Sequence, residues 1–351
     1  MRMESYNAAV ENVALCDLSH RTRWILRGVD AVRFIHGQST NDVTGLQVGE
    51  GCYACFLTVK GKVRGDAVIY RLRDGLGVEL DPGHAEPLRS SLEKFIIADD
   101  VQIEDVTQSI RQGLVIGPKA AEFLERHFPG VKLPGKRYEC AFQPGDWQGE
   151  VGIAFSHRAN VPSFELFAAA ADFEKIWSNW LRATPSTLDA ETLELLRIEA
   201  GIPKFGVDMD ENTLPIEAGL ESRAISYTKG CYIGQEVISR IHSLGHVNRH
   251  LAKLRLDGVV AAVPGGSGTS VSLSASSQRP GTGATTTALP HRGDKIQVDG
   301  KDIGQVTSAV FSPRYGSGLA LGYVRREHAK AGTTVSINNQ PAEVIELCGN
   351  G

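Results

Sequence analysis

The stretch Lys229-Gly-Cys-Tyr-Ile-Gly-Gln-Glu236 gathers the groups best suited to chemistry in this 351-residue sequence. Cys231 lies between Gly230 and Gly234, two residues after Lys229, and a helix is expected from Gln235 to about Ile241. A thiol at a helix N-terminus beside an ammonium is biased toward thiolate, because the dipole and the cation both favour negative charge there. Glycines permit turns that a β-carbon resists, and they let a ligand approach the main chain. These features suit a reactive thiol. They also suit a tight loop around a half-buried cysteine.

Other candidates are sparser. The periodicity predicts a helix over Asp189–Ala200, capped by Ser186 or Asp189 and stopped by Gly201 and Pro203. Arg197 and Glu199 fall in its last turn. Cys52 and Cys55 form the only C-x-x-C among six scattered cysteines. A zinc ribbon needs a second such pair, and strand alternation puts these two thiols on opposite faces. His242, His246 and His250 would share a face on one helix. Gly245 interrupts that helix, and Arg249–Leu256 alternates as a strand, so no metal site is expected. No GxGxxG follows a strand and no GxxxxGK[ST] occurs, which excludes Rossmann and P-loop readings.

The elements that must carry these groups are mixed. Trp24–Gly28 reads as a short strand, and Asp30 can cap a helix over Ala31–Gln38. Cys52–Val59 and Val63–Leu72 read as a hairpin about Lys60-Gly61-Lys62. Gly77–Leu80 continues that sheet, a helix over Ala85–Ile97 follows, and Val101–Val106 returns as a strand. A second similar passage has strands at Ser109–Ile116, Tyr138–Phe142, Glu150–Phe155 and Phe164–Ala168. Its helices are Ala120–Phe128, opened by Pro118, and Ala170–Arg182. The pattern is α+β with antiparallel sheets, not an alternating βα series. Three regions follow: 1–108, 109–248 with the cysteine octet, and a small β-domain over 249–351. Further strands are expected at Lys295–Val298, Lys301–Phe311, Gly318–Val324 and Thr333–Ile337. Residues 264–292 are Gly-, Ser-, Thr- and Pro-rich and read as a flexible insertion.

Composition bounds the function. With 42% hydrophobic and 22% charged residues the chain reads as an ordinary globular protein. A formal net charge of −4 gives no broad nucleic-acid-binding face. No signal-type leader and no membrane-length apolar run is present, so a cytosolic monomer with free thiols is expected.

The octet resembles the K-G-C-[YF]-x-G-Q-E signature of the YgfZ family. Arg197-Ile-Glu-Ala-Gly201 is similar to the R-[IL]-E-A-G of the wider superfamily that includes the glycine-cleavage T-protein. Leu214-Pro-Ile-Glu-Ala-Gly219 and Gly245-His-Val-Asn-Arg249 resemble YgfZ segments, with Leu244 where an arginine is usual. Gly304-Gln-Val-Thr-Ser308 and Leu319-Ala-Leu-Gly-Tyr-Val324 are similar to the shared C-terminal barrel. The resemblance implies a three-part ring around a tetrahydrofolate site. It also implies a role in assembling or repairing [4Fe–4S] proteins, with iron–sulfur client or assembly proteins as partners and a link to tRNA modification.

On that resemblance Glu199 would accept the pterin N–H and exocyclic amine as a bidentate pair. Arg197, Tyr232 and Gln235 would be further cofactor contacts. Lys229, Arg223, Arg240 and Arg249 would attract the folate's acidic tail. Cys231 would be a thiol held near the folate. The rival reading is folate-dependent aminomethyl transfer of the T-protein type. There the proton-handling aspartate belongs to an Asp pair. This chain has Lys60-Gly-Lys-Val-Arg-Gly-Asp66, so only Asp66 remains of it, which weighs against transfer. A thiol-redox role for Cys231 without folate is a third reading.

Overall fold

The computed structural model describes residues 3–142, 151–184, 186–258 and 288–349. Most of the insertion expected over 264–292 lies outside the described residues. The first sheet is built from β2 (Thr22–Arg27), β3 (Gly51–Leu57), β4 (Val63–Leu72), β5 (Gly75–Leu80) and β6 (Gln102–Asp105). Its strands run in the order β3-β4-β5-β2-β6. Helix α1 (Met3–Glu11) opens the described chain, and helices α2 (Ala31–Gln38) and α3 (Pro82–Glu93) cover one face of this sheet. Phe34, Ile35, Leu88 and Leu92 pack there against Cys52, Ala54, Phe56 and Ile69.

The second sheet combines β1 (Ala14–Asp17), β7 (Ile110–Ile116), β8 (Cys140–Phe142), β9 (Gly152–Phe155) and β10 (Ser163–Ala169), in the order β1-β7-β10-β9-β8. Strand β1 therefore crosses into the sheet of the second region, which the linear division of the sequence did not anticipate. The two sheets meet through one core, where Tyr53, Cys55, Val68 and Tyr70 face Ile110, Ala154 and Phe167. Helices α4 (Ala120–His127) and α5 (Ala170–Ala183) close the far side, with Phe123 and Trp180 in edge contact at 5.4 Å. Alternation thus separates Cys52 from Cys55, and each thiol lies in a different core.

The C-terminal strands close a six-stranded antiparallel barrel, ordered β11-β14-β13-β12-β15-β16. They are β11 (Arg249–Leu256), β12 (Lys295–Val298), β13 (Lys301–Ser312), β14 (Ser317–Arg325), β15 (Thr334–Ile337) and β16 (Gln340–Leu347). The last strand was not expected; it pairs with β11 and β15 and so closes the barrel. Helix α6 (Ala190–Glu199) connects the barrel to the rest through Ile198, which packs on Leu251, Leu319 and Tyr323. Gly219 (φ +73°) lies so close to the Cys348 carbonyl that a β-carbon would fall on it. Only glycine fits there. The expected α+β fold with antiparallel sheets and a C-terminal barrel is the observed one.

Local signals set several ends correctly and miss others. Asp189 accepts the Thr192 amide at 2.8 Å, the cap expected of it. Asp30 does not cap α2 with its side chain. Its carboxylate instead accepts the Asp100 amide and binds Arg33. Helix α3 starts at Pro82 rather than Ala85, because Asp81 caps it through the Gly83 amide and proline suits the first turn. Pro118 precedes α4 without joining it.

Candidate functional site

The hairpin β3–β4 fixes the first part of the site. Its register pairs Cys55 with Asp66, so Tyr53 lies two residues along the neighbouring strand. The Tyr53 hydroxyl donates to Asp66 Oδ2 at 2.5 Å. His84, from α3, places Nε2 3.3 Å from Asp66 Oδ1 and 3.1 Å from the Asp66 carbonyl. Burial, followed by the Asp66 charge, pushes the Tyr53 phenol well above its ordinary value. Tyr53 therefore stays protonated and serves as a donor. The Asp66 side chain is 16% exposed. It faces a cavity of about 370 Å³ also lined by Leu18, Leu193, Leu220, Arg21 and Arg223.

The walls of this cavity are held by buried ion pairs. Glu79, 1% exposed, binds Arg21, and Arg158 at 2.9 Å. Arg158 also binds Glu165 at 2.9 Å. Burial alone would raise the Glu79 carboxyl, but Arg158 and Arg21 hold it down to about 2. The sign of the linkage follows. The unfolded group titrates near its ordinary 4.5, so the stabilisation is full above that pH and is lost as pH falls toward about 2. Urea-denaturation midpoints should fall over that interval, and the fall should be smaller in Glu79→Gln. An equal fall in both proteins would remove Glu79 as a cause. His157, next to Arg158, is pushed well below its ordinary value by burial and by that cation.

Arg197 and Glu199 leave α6 in different directions. Arg197 lines the Asp66 cavity. Its guanidinium is bound to Asp208 at 2.7 Å, Glu194 at 2.6 Å, Ser308 at 3.0 Å and the Ile202 carbonyl. Glu199, 6% exposed, turns to the other side. It accepts from Tyr6 at 3.0 and 3.1 Å and from Ser312. It lines a separate compartment of about 180 Å³ with Arg137, Arg314 and Lys253. Among the described residues, only Arg223 and Ile202 line both spaces. Glu199, expected at the pterin, and Asp66, expected only on the transferase reading, thus occupy adjoining compartments.

The octet lies elsewhere again. Lys229 is 8% exposed, and its ammonium donates to the carbonyls of His36, Ser39 (2.7 Å) and Asn41 (2.9 Å). Burial lowers its pKa to about 8. The ammonium also sits 5.0 Å from the buried Tyr232 ring. The Ile233 amide donates to the Gly37 carbonyl. Gly234, at φ +84°, rests against the hairpin turn, where a β-carbon would meet the Thr58 carbonyl at 2.6 Å. A helix over Gln235–Leu244 begins immediately after it.

Cys231 is the one exposed cysteine of the six. It lines neither the Asp66 cavity nor the Glu199 compartment. The expectation of a thiol beside Glu199 therefore does not match the geometry. The loop straps onto the end of α2, and this leaves the sulfur at the surface. Gln235 contacts its own loop through Gly230, Arg240 pairs with Glu236, and Arg249 binds Glu217 at 3.1 Å while lying 4.5 Å over the Tyr323 ring. Of the expected basic residues, Arg223 reaches both compartments. His242 stacks on Tyr227 at 3.7 Å and binds Glu221, away from any shared face with His246 and His250.

Sequence reasoning missed Tyr53, His84, Tyr6, Ser312 and Asp208. The hairpin register could have supplied Tyr53. Tyr6 and Ser312 lie 193 and 113 residues from Glu199, and no local pattern links them.

Comparison with known proteins agrees with this architecture. Residues 2–229 match the GCVT N-terminal domain family, and residues 282–347 match the glycine cleavage T-protein C-terminal barrel domain. An aminomethyltransferase of Rubrobacter xylanophilus is 25% identical over 344 residues, covering 97% of this chain and 84% of that protein. A chloroplastic Arabidopsis thaliana protein carrying a transferase name is 25% identical over 346 residues, 97% of this chain and 72% of that one. The crystal structure of the glycine cleavage system aminomethyltransferase T from Bartonella henselae superposes with a TM-score of 0.79 at 20% identity, covering 98% of this chain and 88% of that one. No helix among the described residues is long and apolar enough to cross a membrane. The match over 2–229, followed by the closed barrel, makes this chain a member of the GCVT N-terminal domain family, in the glycine-cleavage T-protein superfamily.

Proposed function

We propose that the protein binds tetrahydrofolate, or a one-carbon derivative of it, in the Asp66 cavity. We further propose that it acts as an accessory protein for assembly or repair of [4Fe–4S] proteins, working on those partners through Cys231. The supporting observation is the Asp66 cavity itself. It joins a partly exposed carboxylate to a flat phenol and leucine walls. A reduced pterin needs an acceptor for its adjacent N–H groups and apolar surfaces for its faces. Tyr53 takes one Asp66 lone pair, and the carboxylate keeps others for a ligand. Glu194 and Asp81 are less suitable, because each already pairs with an arginine.

When bound, the folate supplies a one-carbon unit. The chain orients it through Asp66 and excludes water with the leucine walls. Cys231, held at the surface by the Lys229 clamp, is accessible to a protein partner. The octet's resemblance to the YgfZ signature supports that part of the proposal, and with it a cytosolic, monomeric protein linked to tRNA modification.

Aminomethyl transfer is the second reading, favoured by Asp66 lying in the cavity between Tyr53 and His84. That carboxylate could receive a proton from the reacting amine. Two assays separate the readings. Cys231→Ala should abolish support of [4Fe–4S] enzyme activity and leave folate affinity, measured by calorimetry, within about twofold of wild type. Asp66→Asn should weaken folate binding by about tenfold or more, the loss of a charge-assisted pair. Formation of methylenetetrahydrofolate from a lipoyl-bound aminomethyl group that survives Cys231→Ala and dies in Asp66→Ala would decide for the transferase.

A further inference from the structure

Tyr53 and Asp66 line the larger cavity, whereas the imidazole of His84 stands behind Asp66 and is not part of the lining. His84 belongs to the first turn of α3, and its buried side chain turns Nε2 back onto β4. Asp66 wraps around that one nitrogen. Its carbonyl oxygen lies at 3.1 Å, its carboxylate Oδ1 at 3.3 Å and its amide nitrogen at 3.5 Å. These distances assign the tautomer. With a proton on Nε2 the ring donates toward two acceptors, the carbonyl and the carboxylate. With the proton on Nδ1 instead, a lone pair would face both oxygens, against one long contact from the amide. Tyr53 donates to the other carboxylate oxygen, Oδ2, at 2.5 Å. Each oxygen of Asp66 therefore has its own donor. A missing side chain makes room for the ring. A β-carbon on Gly65 would lie 2.8 Å from His84 Cδ2 and 3.4 Å from Leu88 Cδ2. Phe205 packs edge-on against the imidazole at 4.7 Å, which leaves the ring little space to move aside.

An unrestrained carboxylate samples several χ1 wells and a broad range of χ2. A ligand that needs one orientation must then freeze the others as it binds, at a cost in affinity. Donors on both oxygens remove that freedom beforehand and leave further lone pairs for the ligand. We propose that His84 is the positioning residue of Asp66: with Tyr53 it fixes the carboxylate in one orientation, and Gly65 admits the ring that does so. The effect on affinity rests on the reading of the Asp66 cavity as the folate site; the fixing of the carboxylate does not. The role needs only an N–H at the Nε2 position. Glutamine carries its amide nitrogen at about that reach, so it should substitute, and leucine should not. A histidine that merely packed α3 onto the sheet would behave differently. Its loss would lower stability and affinity together, whatever residue stood at 66.

Two measurements on the full chain test this. The first reads the Asp66 χ1 torsion in the ligand-free protein, from NMR scalar couplings to its Cγ. One rotamer is expected in the wild type and in His84→Gln, and an average over rotamers in His84→Leu and in Gly65→Ala. The second is calorimetry with tetrahydrofolate. Affinity should fall about tenfold in His84→Leu and Gly65→Ala, and stay within about threefold of wild type in His84→Gln. His84→Leu/Asp66→Asn should bind within about twofold of Asp66→Asn alone, because His84 acts only through that carboxylate. Gly65→Ala keeps the imidazole and carries the test should His84→Leu not fold. The role is excluded if Asp66 keeps one rotamer in the leucine and alanine variants, or is already averaged in the wild type. It is excluded equally if glutamine costs as much affinity as leucine, or if the His84→Leu and Asp66→Asn losses add. Should tetrahydrofolate bind none of the proteins, or bind Asp66→Asn as tightly as wild type, the folate reading of this cavity fails, and the torsions alone decide for or against His84.

Discussion

Asp208→Ala should destabilise the protein by about 3–5 kcal/mol, the usual result of stripping one partner from a buried ion pair. Asp208 is 2% exposed and accepts four hydrogen bonds. They come from Arg197 at 2.7 Å, the Lys204 amide at 3.0 Å, and the hydroxyls of Thr307 and Ser308 at 2.6 Å each. These donors lie on α6, on the loop after it and on β13, so one carboxylate joins the barrel to the rest of the molecule. Its removal leaves the Arg197 charge with Glu194 alone, and Glu194 is 37% exposed. Chemical-denaturation midpoints measure the effect. Asp208→Asn keeps an acceptor and should recover part of the loss. A change below about 1 kcal/mol in the alanine variant would show that the junction does not depend on this group. Arg197 lines the Asp66 cavity, so ligand affinity in that cavity should fall together with stability.

Lys229→Ala is the second large effect. Three main-chain carbonyls lose a charged donor at once, and a hydrogen bond to a charged group is worth ~1.5–3 kcal/mol. Water can reach part of the gap, so a loss of about 3 kcal/mol is expected. The consequence should be selective. The clamp positions Cys231, while Asp66, Tyr53 and His84 sit on the first sheet and on α3. Folate affinity should stay within about twofold of wild type, whereas any activity requiring Cys231 should fall nearly as far as in Cys231→Ala. Lys229→Arg would not restore it fully, because a planar fork cannot point at three converging carbonyls as an ammonium does. Should Lys229→Ala instead weaken folate binding by tenfold and leave stability unchanged, the ammonium would be a ligand group and not a clamp.

The octet illustrates the limit of local reasoning. A lysine two residues before a cysteine invites the inference that its charge tunes the thiol. The tertiary structure uses that charge to hold the end of α2. A buried ammonium needs several acceptors, and the carbonyls it finds belong to a helix terminus 190 residues away. The pair Arg197 and Glu199 shows the same limit. Two residues apart on a helix, they diverge by roughly 200° around its axis. One therefore faces the Asp66 cavity and the other the compartment behind it.

Sequence by itself determined most of the elements and their order. Alternation, caps and turn residues specified the β3–β4 hairpin, the opposite facing of Cys52 and Cys55, the Asp189 cap of α6 and most barrel strands, since these depend on neighbours within a few positions. It also carried the family, because the R-I-E-A-G segment and the barrel sequences persist as strings. Only the tertiary structure decided that Asp66 and Glu199 line different spaces, that Glu199 is held by Tyr6 and Ser312, that Lys229 is a clamp and that Cys231 stands at the surface. Which partner a buried charge finds is settled when sheets and helices pack, by desolvation and geometry over separations of 100 residues or more, and periodicity carries no record of that choice.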